Sequence, residues 1–214
     1  MDVIFDNLDV FAEGMVVTVQ LSVLAFVMAL ALGVLVAGLR VSPVPPLRWA
    51  SATFVELVRN TPLLVLMFIV VFAFPSIGFT WSYFLSAVIV LAAYTATFVG
   101  ETVRSGINSV SKGQVEAARA LGLTFPQVLR LVVMPQALRT VVGPLGGIFI
   151  ALLKNSGVAV AINVSELTSK AAQLGTDTAQ FIPAFMGAAA AYLILTIPSG
   201  YATGWLERKL AIKR

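Results

Sequence analysis

Long apolar stretches alternate with short polar segments along this chain, and five of them are long enough to cross a membrane. The first, Val16 to Leu39, has 24 residues without a charge, and a helix needs roughly 20 residues to cross a hydrocarbon core. The other four cover about residues 54–74, 82–100, 131–153 and 181–206. The pattern predicts an all-α fold: a polytopic membrane protein with five transmembrane helices in a single domain, residues 1–214.

The second stretch begins with polar residues, and these allow two interpretations. Glu56 and Arg59 stand at i,i+3 spacing and can pair on one helix face, and Thr61 and Pro62 follow them. We favour a salt-bridged helix end at the cytoplasmic interface. The alternative is a proline-disturbed segment that lines a pathway, because polar groups at membrane depth need a cavity or a partner.

The fourth stretch contains several residues that disturb a helix, so a kinked or interrupted helix is expected there. These residues are Pro135, Gly143, Pro144, Gly146 and Gly147. Between the fourth and fifth stretches, the pattern predicts a polar connection with one short helix that begins after Ser165.

A polar, partly basic segment, residues 111–135, separates the third and fourth stretches and is called the polar loop below. Ser111 and Gln114 have capping-box spacing, and Gly122 suits the position that follows a helix C-terminus. A second pair with capping-box spacing comes after the glycine. The polar loop therefore predicts a short helix from about Lys112 to Leu121, a glycine corner and a second helix that returns to the membrane.

The short helix of the polar loop has a small apolar surface beside two charges. Its apolar residues are Ala117, Ala118, Ala120 and Leu121, and the charged ones are Glu116 and Arg119. A helix this short is marginal in water unless something packs on it. The partner is either another protein that receives the helix in a groove, or the membrane domain of the chain itself.

Composition agrees with a membrane protein and excludes several classes of enzyme. Hydrophobic residues make up 59% of the chain and charged residues 11%, whereas about a quarter of a soluble domain is charged. The chain has no Cys and no His, which excludes disulfides, zinc sites and His or Cys nucleophiles. It has no Walker A sequence and no catalytic triad. We therefore expect no enzyme activity, metal site or cofactor in this chain itself.

Basic residues are unevenly distributed between the two sides of the predicted spans. With five spans, nine of them fall on one side: Arg40, Arg48, Arg104, Lys112, Arg119, Arg208, Lys209, Lys213 and Arg214. Only Lys154 and Lys170 fall on the other side, together with acidic residues. By the positive-inside rule, the N-terminus lies outside, and the C-terminus and the polar loop lie in the cytoplasm. The expected location is the plasma (inner) membrane.

The polar loop resembles the EAA loop of ABC-importer permeases, the element that docks on the nucleotide-binding subunit. The family pattern is Glu-Ala-Ala, three residues, Gly, nine residues and Ile-x-Leu-Pro. This chain keeps the spacing throughout, with apolar departures at the Ile and Leu positions: Glu116, Ala117, Ala118, Gly122, Val132, Met134 and Pro135. The resemblance favours a coupling helix over a helix that merely rests on its own membrane domain.

Four further segments are similar to those of polar amino-acid permeases. They match the patterns R-G/N-T-P-L-L, E-x-x-R-x-G-I, P-Q-A-x-R and L-K-D/N-T/S, at residues 59–64, 101–107, 135–139 and 153–156. Within that family, several segments look most like actinobacterial glutamate-uptake permeases; these lie at residues 40–43, 59–62, 105–108 and 207–211.

The resemblance implies a type I importer permease that works by alternating access. Two ATPase subunits, which bind ATP and Mg²⁺, would push the coupling helices, and an extracytoplasmic binding protein would deliver the amino acid. Two permease subunits would form the pathway, and the second would be a paralogue or else another copy of this chain. The implied coupling residues are Glu116, Ala117, Ala118, Arg119, Leu121 and Gly122.

The same resemblance implies glutamate as substrate, with glutamine or aspartate as alternatives. The candidate pathway residues are Thr61, Pro62, Lys154, Asn155 and Ser156. Many family members carry Asp at position 155, and an acid there suits a cationic amino acid by Coulomb attraction. One hypothesis is that Asn155 disfavours arginine-like substrates and tolerates glutamate. The other, which we favour from the sequence, is that Lys154 and Asn155 only cap the fourth span at the interface. The alternative to the whole interpretation is a stand-alone secondary carrier or channel.

Overall fold

The computed structural model describes residues 2–210, and every regular element in this part of the chain is helical. The α-helices are α1 Asp2–Phe5, α2 Leu8–Arg40, α3 Pro45–Asn60, α4 Leu63–Phe68, α5 Tyr83–Asn108, α6 Lys112–Ala120, α7 Phe125–Val128, α8 Met134–Asn155, α9 Leu167–Thr178 and α10 Phe181–Leu210. The connecting turns are π-helical at Ile69–Ala73 and Leu129–Val133, and 3-10 helical at Phe74–Ile77 and Ser156–Ile162. The predicted all-α membrane fold is confirmed.

Four continuous helical stretches are long and apolar enough to cross a membrane: Leu8–Arg40, Tyr83–Asn108, Phe125–Ile162 and Phe181–Leu210. Each runs past the C-terminal end of the apolar stretch that predicts it. Hydropathy marks only the residues within the hydrocarbon, whereas a helix can continue into the interface and beyond. The fourth stretch is deformed but not interrupted, because Pro144 remains inside α8.

The second predicted span, residues 54–74, differs from a single helix. α3 and the segment Leu63–Ile77 meet at an angle of 106°. Thr61 has an extended backbone, with φ −94° and ψ 130°, a conformation favoured before a proline because the Pro62 ring clashes with a helical predecessor. The helix is therefore broken at Thr61 and Pro62, as the proline-disturbed alternative expects. That this segment lines a pathway stays a prediction.

The parallel pair α2 and α5 forms the centre of the fold, and small residues allow the two helices to approach closely. A Cβ on Gly33 would collide with Val99, and a Cβ on Gly100 would lie 2.8 Å from a methyl group of Val36. Ala29 is completely buried in this contact. Close approach of this kind provides dispersion contacts along the helix pair.

α8 packs on both the central pair and α10, and small residues again allow the helices to approach closely. Gly106 of α5 faces Val141 of α8, and Gly146 of α8 faces Thr203 of α10, in each case without room for a Cβ. The polar loop follows the C-terminal end of α5. At the opposite end of the bundle, α9 packs on the N-terminal part of α2 and on α10 around an apolar cluster: Phe11, Leu167, Ala171, Leu174, Ala184, Ala188 and Ala191.

Candidate functional site

The polar loop contains α6, a helix that is capped at its N-terminus and followed by a glycine turn at its C-terminus. The Ser111 hydroxyl accepts a hydrogen bond from the Gln114 N–H at 3.4 Å. At the other end, Gly122 has a φ of +82°, a left-handed conformation that a Cβ makes costly. The Gly122 N–H donates to the Arg119 carbonyl at 2.9 Å. The predicted short helix and glycine corner are both present.

The inner side of α6 packs on the polar loop itself. Ala118 is only 6% exposed and joins Val110, Val128 and Val133 in a small apolar cluster. Of the apolar residues of the short helix, Ala118 therefore faces the chain itself rather than the surroundings. Its inward position explains how so short a helix is held in place within the chain.

The outer side of α6 and the corner that follows it present large apolar side chains to the surroundings. Leu121 is 83% exposed and Phe125 is 69% exposed. Glu116, Ala117 and Arg119 are also exposed. Apolar side chains exposed together and rimmed by charges are typical of a protein–protein contact. Phe125 is not part of the sequence motif. Its high exposure in the structure identifies it as part of this surface.

The chain returns to the bundle through a capped but deformed helix. The Thr124 N–H and hydroxyl both donate to the Gln127 Oε1, at 2.8 and 2.9 Å, where α7 begins. A π-helical turn then leads into α8. Pro135 lies in the first turn of α8, directly after this π-helical turn, and its ring leaves the backbone without an N–H donor there.

An ion cluster lies at the same end of the bundle. The Glu101 carboxylate is 3.0 Å from Arg40 Nη2 and 2.7 Å from Arg104 Nη2. The pairing of Glu101 with Arg104 follows from their spacing, but the contact with Arg40 does not. These side chains are 22% to 36% exposed, so solvent screens the pairs in part. The cluster joins the end of α2 to α5 just before the polar loop.

Arg59, in the last turn of α3 before the break, contacts α5. The Arg59 guanidinium lies 4.5 Å from the centroid of the Phe98 ring, within range of a cation–π interaction. The Glu56 carboxylate instead accepts a hydrogen bond from the Asn60 side-chain amide at 3.0 Å. The expected Glu56–Arg59 ion pair is therefore not formed in the part of the chain that the structure describes.

Lys154 and Asn155 are adjacent in sequence but line different cavities. Asn155 lines a cavity of about 110 Å³ between α5 and α8, together with Tyr94 and Phe98. Lys154 lines an open groove of about 370 Å³ against α10, together with Tyr192. In this conformation the two neighbours therefore face different cavities.

The other three candidate pathway residues also lie in different places: two at the break and one in the interior. Thr61 and Pro62 form the break itself, two and three residues beyond Arg59. Because the ring under Arg59 also lines the Asn155 cavity, the break and that cavity are neighbours. Ser156 is completely buried, and its hydroxyl donates to the Leu153 carbonyl at 2.7 Å.

A completely buried carboxylate lies outside all the predicted sites. Glu166 precedes α9, and its Oε1 accepts a hydrogen bond from the Ser169 N–H at 2.9 Å. Its Oε2 accepts from the Thr168 N–H at 2.8 Å and from the Tyr192 hydroxyl at 2.9 Å. Burial raises the pKa of Glu166, and the hydrogen bonds oppose that rise. In the sequence, this position shows only an acid before a helix. An exposed helix cap would show the same pattern.

Comparison with known proteins places this geometry in a family. The family described as "Binding-protein-dependent transport system inner membrane component" matches residues 29–212. The chain is 40% identical over 212 residues to the glutamate transport system permease protein GluC of Corynebacterium efficiens, covering 92% of each chain. It is 36% identical over 210 residues to the probable glutamine ABC transporter permease protein GlnM of Bacillus subtilis, covering 98% of this chain and 97% of GlnM.

The fold is also similar to a solved structure. The crystal structure of an amino acid ABC transporter with histidines superposes with a TM-score of 0.91 and 29% identity, covering 96% of each chain. This chain therefore belongs to the binding-protein-dependent transport system inner membrane components, as a multi-pass permease of the amino-acid ABC-importer type.

Proposed function

We propose that this chain is a permease subunit of an ATP-driven glutamate importer that works by alternating access. The observation that carries the proposal is the exposed outer side of α6, which offers Leu121 and Phe125 to a partner at the end of the bundle. The partner is an ATPase subunit, present in two copies, which binds ATP and Mg²⁺ and receives α6 in a groove.

In this proposal, α6 transmits force and binds no ligand. Its contacts with the ATPase come from exposed residues: Glu116, Ala117, Arg119, Leu121 and Phe125. Ala118 and Gly122 act from within the polar loop. Ala118 anchors α6 on its apolar cluster, and the left-handed backbone of Gly122 sets the direction in which α6 points.

The substrate pathway follows the side of α8 that carries Asn155. The Asn155 cavity adjoins the Phe98 ring and the Arg59 guanidinium, next to the break at Thr61 and Pro62. A guanidinium forms strong, often bidentate hydrogen bonds with a carboxylate. Because Asn155 adds no negative charge, this surface suits an amino acid with an acidic side chain better than one with a basic side chain.

The other two candidate residues do not line this pathway. Buried Ser156 supports the wall of the pathway from behind. Lys154 faces the groove against α10 and lies outside the pathway. GluC supports glutamate as the first substrate and GlnM supports glutamine as the next, and aspartate shares the acidic side chain.

The remaining partners follow from the number of spans and from the family to which the chain belongs. Five spans are too few to enclose a pathway, so a second permease subunit completes it, and the likeness to glutamate systems favours a paralogue over a second copy. An extracytoplasmic binding protein delivers the amino acid. The basic residues favour an N-terminus outside and a C-terminus in the cytoplasm.

The assembled importer in proteoliposomes tests this proposal. ATP hydrolysis is measured with glutamate, glutamine, aspartate or arginine, each added with the binding protein. We expect glutamate to stimulate hydrolysis most and uptake to require the ATPase subunits. Stronger stimulation by another amino acid would overturn glutamate as substrate only. Uptake by this chain alone, driven by an ion gradient, would overturn the proposal in favour of a secondary carrier.

A further inference from the structure

Four elements meet at a polar cluster around the completely buried Glu166, at the end of the bundle opposite the polar loop. We call it the Glu166 cluster, and its residues are Thr18, Gly157, Glu166, Thr168 and Tyr192. Thr18 belongs to α2, Gly157 to the 3-10 segment Ser156–Ile162, and Tyr192 to α10. Glu166 and Thr168 belong to the start of α9. The proposed function uses none of these five residues.

Hydrogen bonds join α9 to both α10 and α2. The Tyr192 hydroxyl, which donates to Glu166 Oε2 at 2.9 Å, also lies 3.0 Å from Thr168 Oγ1. The Leu167 N–H donates to Thr18 Oγ1 at 3.2 Å. The bond to Thr18 is buried, and those of the Tyr192 hydroxyl are partly buried.

Two glycines bring backbone segments into contact with the cluster. A Cβ on Gly157 would lie 2.7 Å from Thr168 Oγ1 and 3.0 Å from the Tyr192 hydroxyl, so the 3-10 segment touches both side chains. A Cβ on Gly14 would lie 2.9 Å from the Leu167 Cα, so α2 meets the start of α9 at backbone distance. These contacts leave little room for the four elements to slide past one another.

The carboxylate itself indicates what the cluster is suited to do. A buried charge is costly unless its hydrogen bonds are made, and no ion pair found within residues 2–210 involves Glu166. A cap for α9 alone needs only an exposed polar side chain. The additional bond that Glu166 accepts from Tyr192 joins a second helix, and this bond depends on the buried position.

We propose that Glu166 is a positioning residue that makes α9, α10, the 3-10 segment and the N-terminal end of α2 move as one rigid body during transport. This inference rests on the alternating-access function proposed above, since a rigid body has a role only if the permease changes conformation. Asn155 directly precedes the 3-10 segment. Movement of the rigid body therefore carries one wall of the proposed pathway with it.

Removal of the Tyr192 hydroxyl group tests the link between α9 and α10. Tyr192→Phe removes the bond from α10 to Glu166 and leaves the backbone cap of α9 intact. Tyr201→Phe is the matched control, because Tyr201 lies on the same helix and is 75% exposed. We expect Tyr192→Phe to lower the maximal rate of ATP-driven uptake several-fold, with an unchanged KM for the liganded binding protein. ATP hydrolysis should fall less than uptake, and the control should change neither rate.

Distances between spin labels test the rigidity itself. The chain has no Cys, so labels attach only to introduced cysteines. We place these at two exposed positions, Ala161→Cys in the 3-10 segment and Met186→Cys in α10. We expect the same distance in the nucleotide-free importer and in the importer trapped with ATP and vanadate. In Tyr192→Phe, the distribution of that distance should broaden or its mean should shift. A label on the ATPase, paired with Met186→Cys, reports that the importer has changed conformation.

The outcomes separate this inference from the proposed function. If the wild-type importer shows no ATP-driven uptake, the proposed function fails and the rigid body fails with it. If it transports but the distance between the labels changes with nucleotide, only the rigid body fails. Identical behaviour of Tyr192→Phe and Tyr201→Phe also overturns it. If Tyr192→Phe does not assemble, Thr168→Val, which removes the neighbouring hydroxyl, is measured in its place.

Discussion

Individual residues of the polar loop show what a sequence motif reveals and what it omits. The motif identifies Ala118 and Gly122 without any structure. It does not state which of several alanines faces inward, because that depends on where Val128 and Val133 return along the following helix. Gly122 is different, because a glycine after a short capped helix has one backbone role, and its φ of +82° fulfils it.

Gly122→Ala should impair coupling between ATP hydrolysis and uptake. A Cβ at a left-handed φ costs about 1 kcal/mol or more, so the corner is strained and α6 is directed differently. We expect less uptake per ATP hydrolysed, measured from both rates in proteoliposomes, and a chain that still purifies as a folded membrane protein. Gly113→Ala is the control, because a Cβ on Gly113 meets nothing within 4 Å. An equal loss in both variants would contradict the role of the corner.

Glu166 should make the stability of the chain depend on pH. Its pKa is raised in the folded chain above the ordinary value of 4.5 because the carboxyl group is buried, so folding favours the protonated form. This contribution is fully present below the ordinary pKa and is lost as the pH rises through the raised pKa. Thermal unfolding in detergent, in steps upward from pH 4.5, should show wild type losing stability relative to Glu166→Gln. A constant difference between the two proteins would refute this.

At the scale of the helices, apolar patterning locates the spans but does not determine how they bend or rotate. Pro62 signals the break after α3, whereas the direction of Arg59 towards Phe98 depends on the angle at which the two segments meet. Lys154 and Asn155 show the same limit. Adjacent helix residues are rotated by about 100°, which is enough to place them in different cavities, and the sequence does not say which cavity adjoins the break.

Asn155→Asp should shift substrate preference from glutamate towards arginine. A carboxylate a few ångströms from the substrate repels an acidic side chain and attracts a basic one by roughly 1 kcal/mol or more. The ratio of ATP hydrolysis stimulated by arginine to that stimulated by glutamate measures the shift, with the cognate binding protein for each. Asn108→Asp is the control, with the same charge change at an exposed position in the last turn of α5. An unchanged ratio would support the alternative that Asn155 only caps α8.

At the scale of the whole molecule, the two ends of the bundle differ in how far the sequence predicts them. The polar loop at one end is continuous in sequence, so its helix, corner and second helix can be read residue by residue. The Glu166 cluster at the other end is assembled from four elements. The hydrogen bond from Leu167 to Thr18 alone joins residues 149 positions apart, and no local pattern contains it.

The orientation of the bundle in the membrane can be tested with single cysteines, since the chain has none of its own. Thr176 in α9 and Lys112 in α6 are both exposed and lie at opposite ends of the bundle. In intact cells, a membrane-impermeant maleimide should label Thr176→Cys but should label Lys112→Cys only after the membrane is permeabilised. The reverse pattern would place the N-terminus in the cytoplasm.

The packing of Ala118 also bears on how the importer assembles. The Ser111 cap, the Gly122 corner and the apolar cluster under Ala118 all lie within this chain, so α6 has its final shape before it meets another subunit. Association then does not have to fold the helix, and the entropy lost on binding is limited to the side chains at the contact and to overall motion. A preorganised α6 therefore leaves more of the contact energy available for affinity than a loop that folds only on binding.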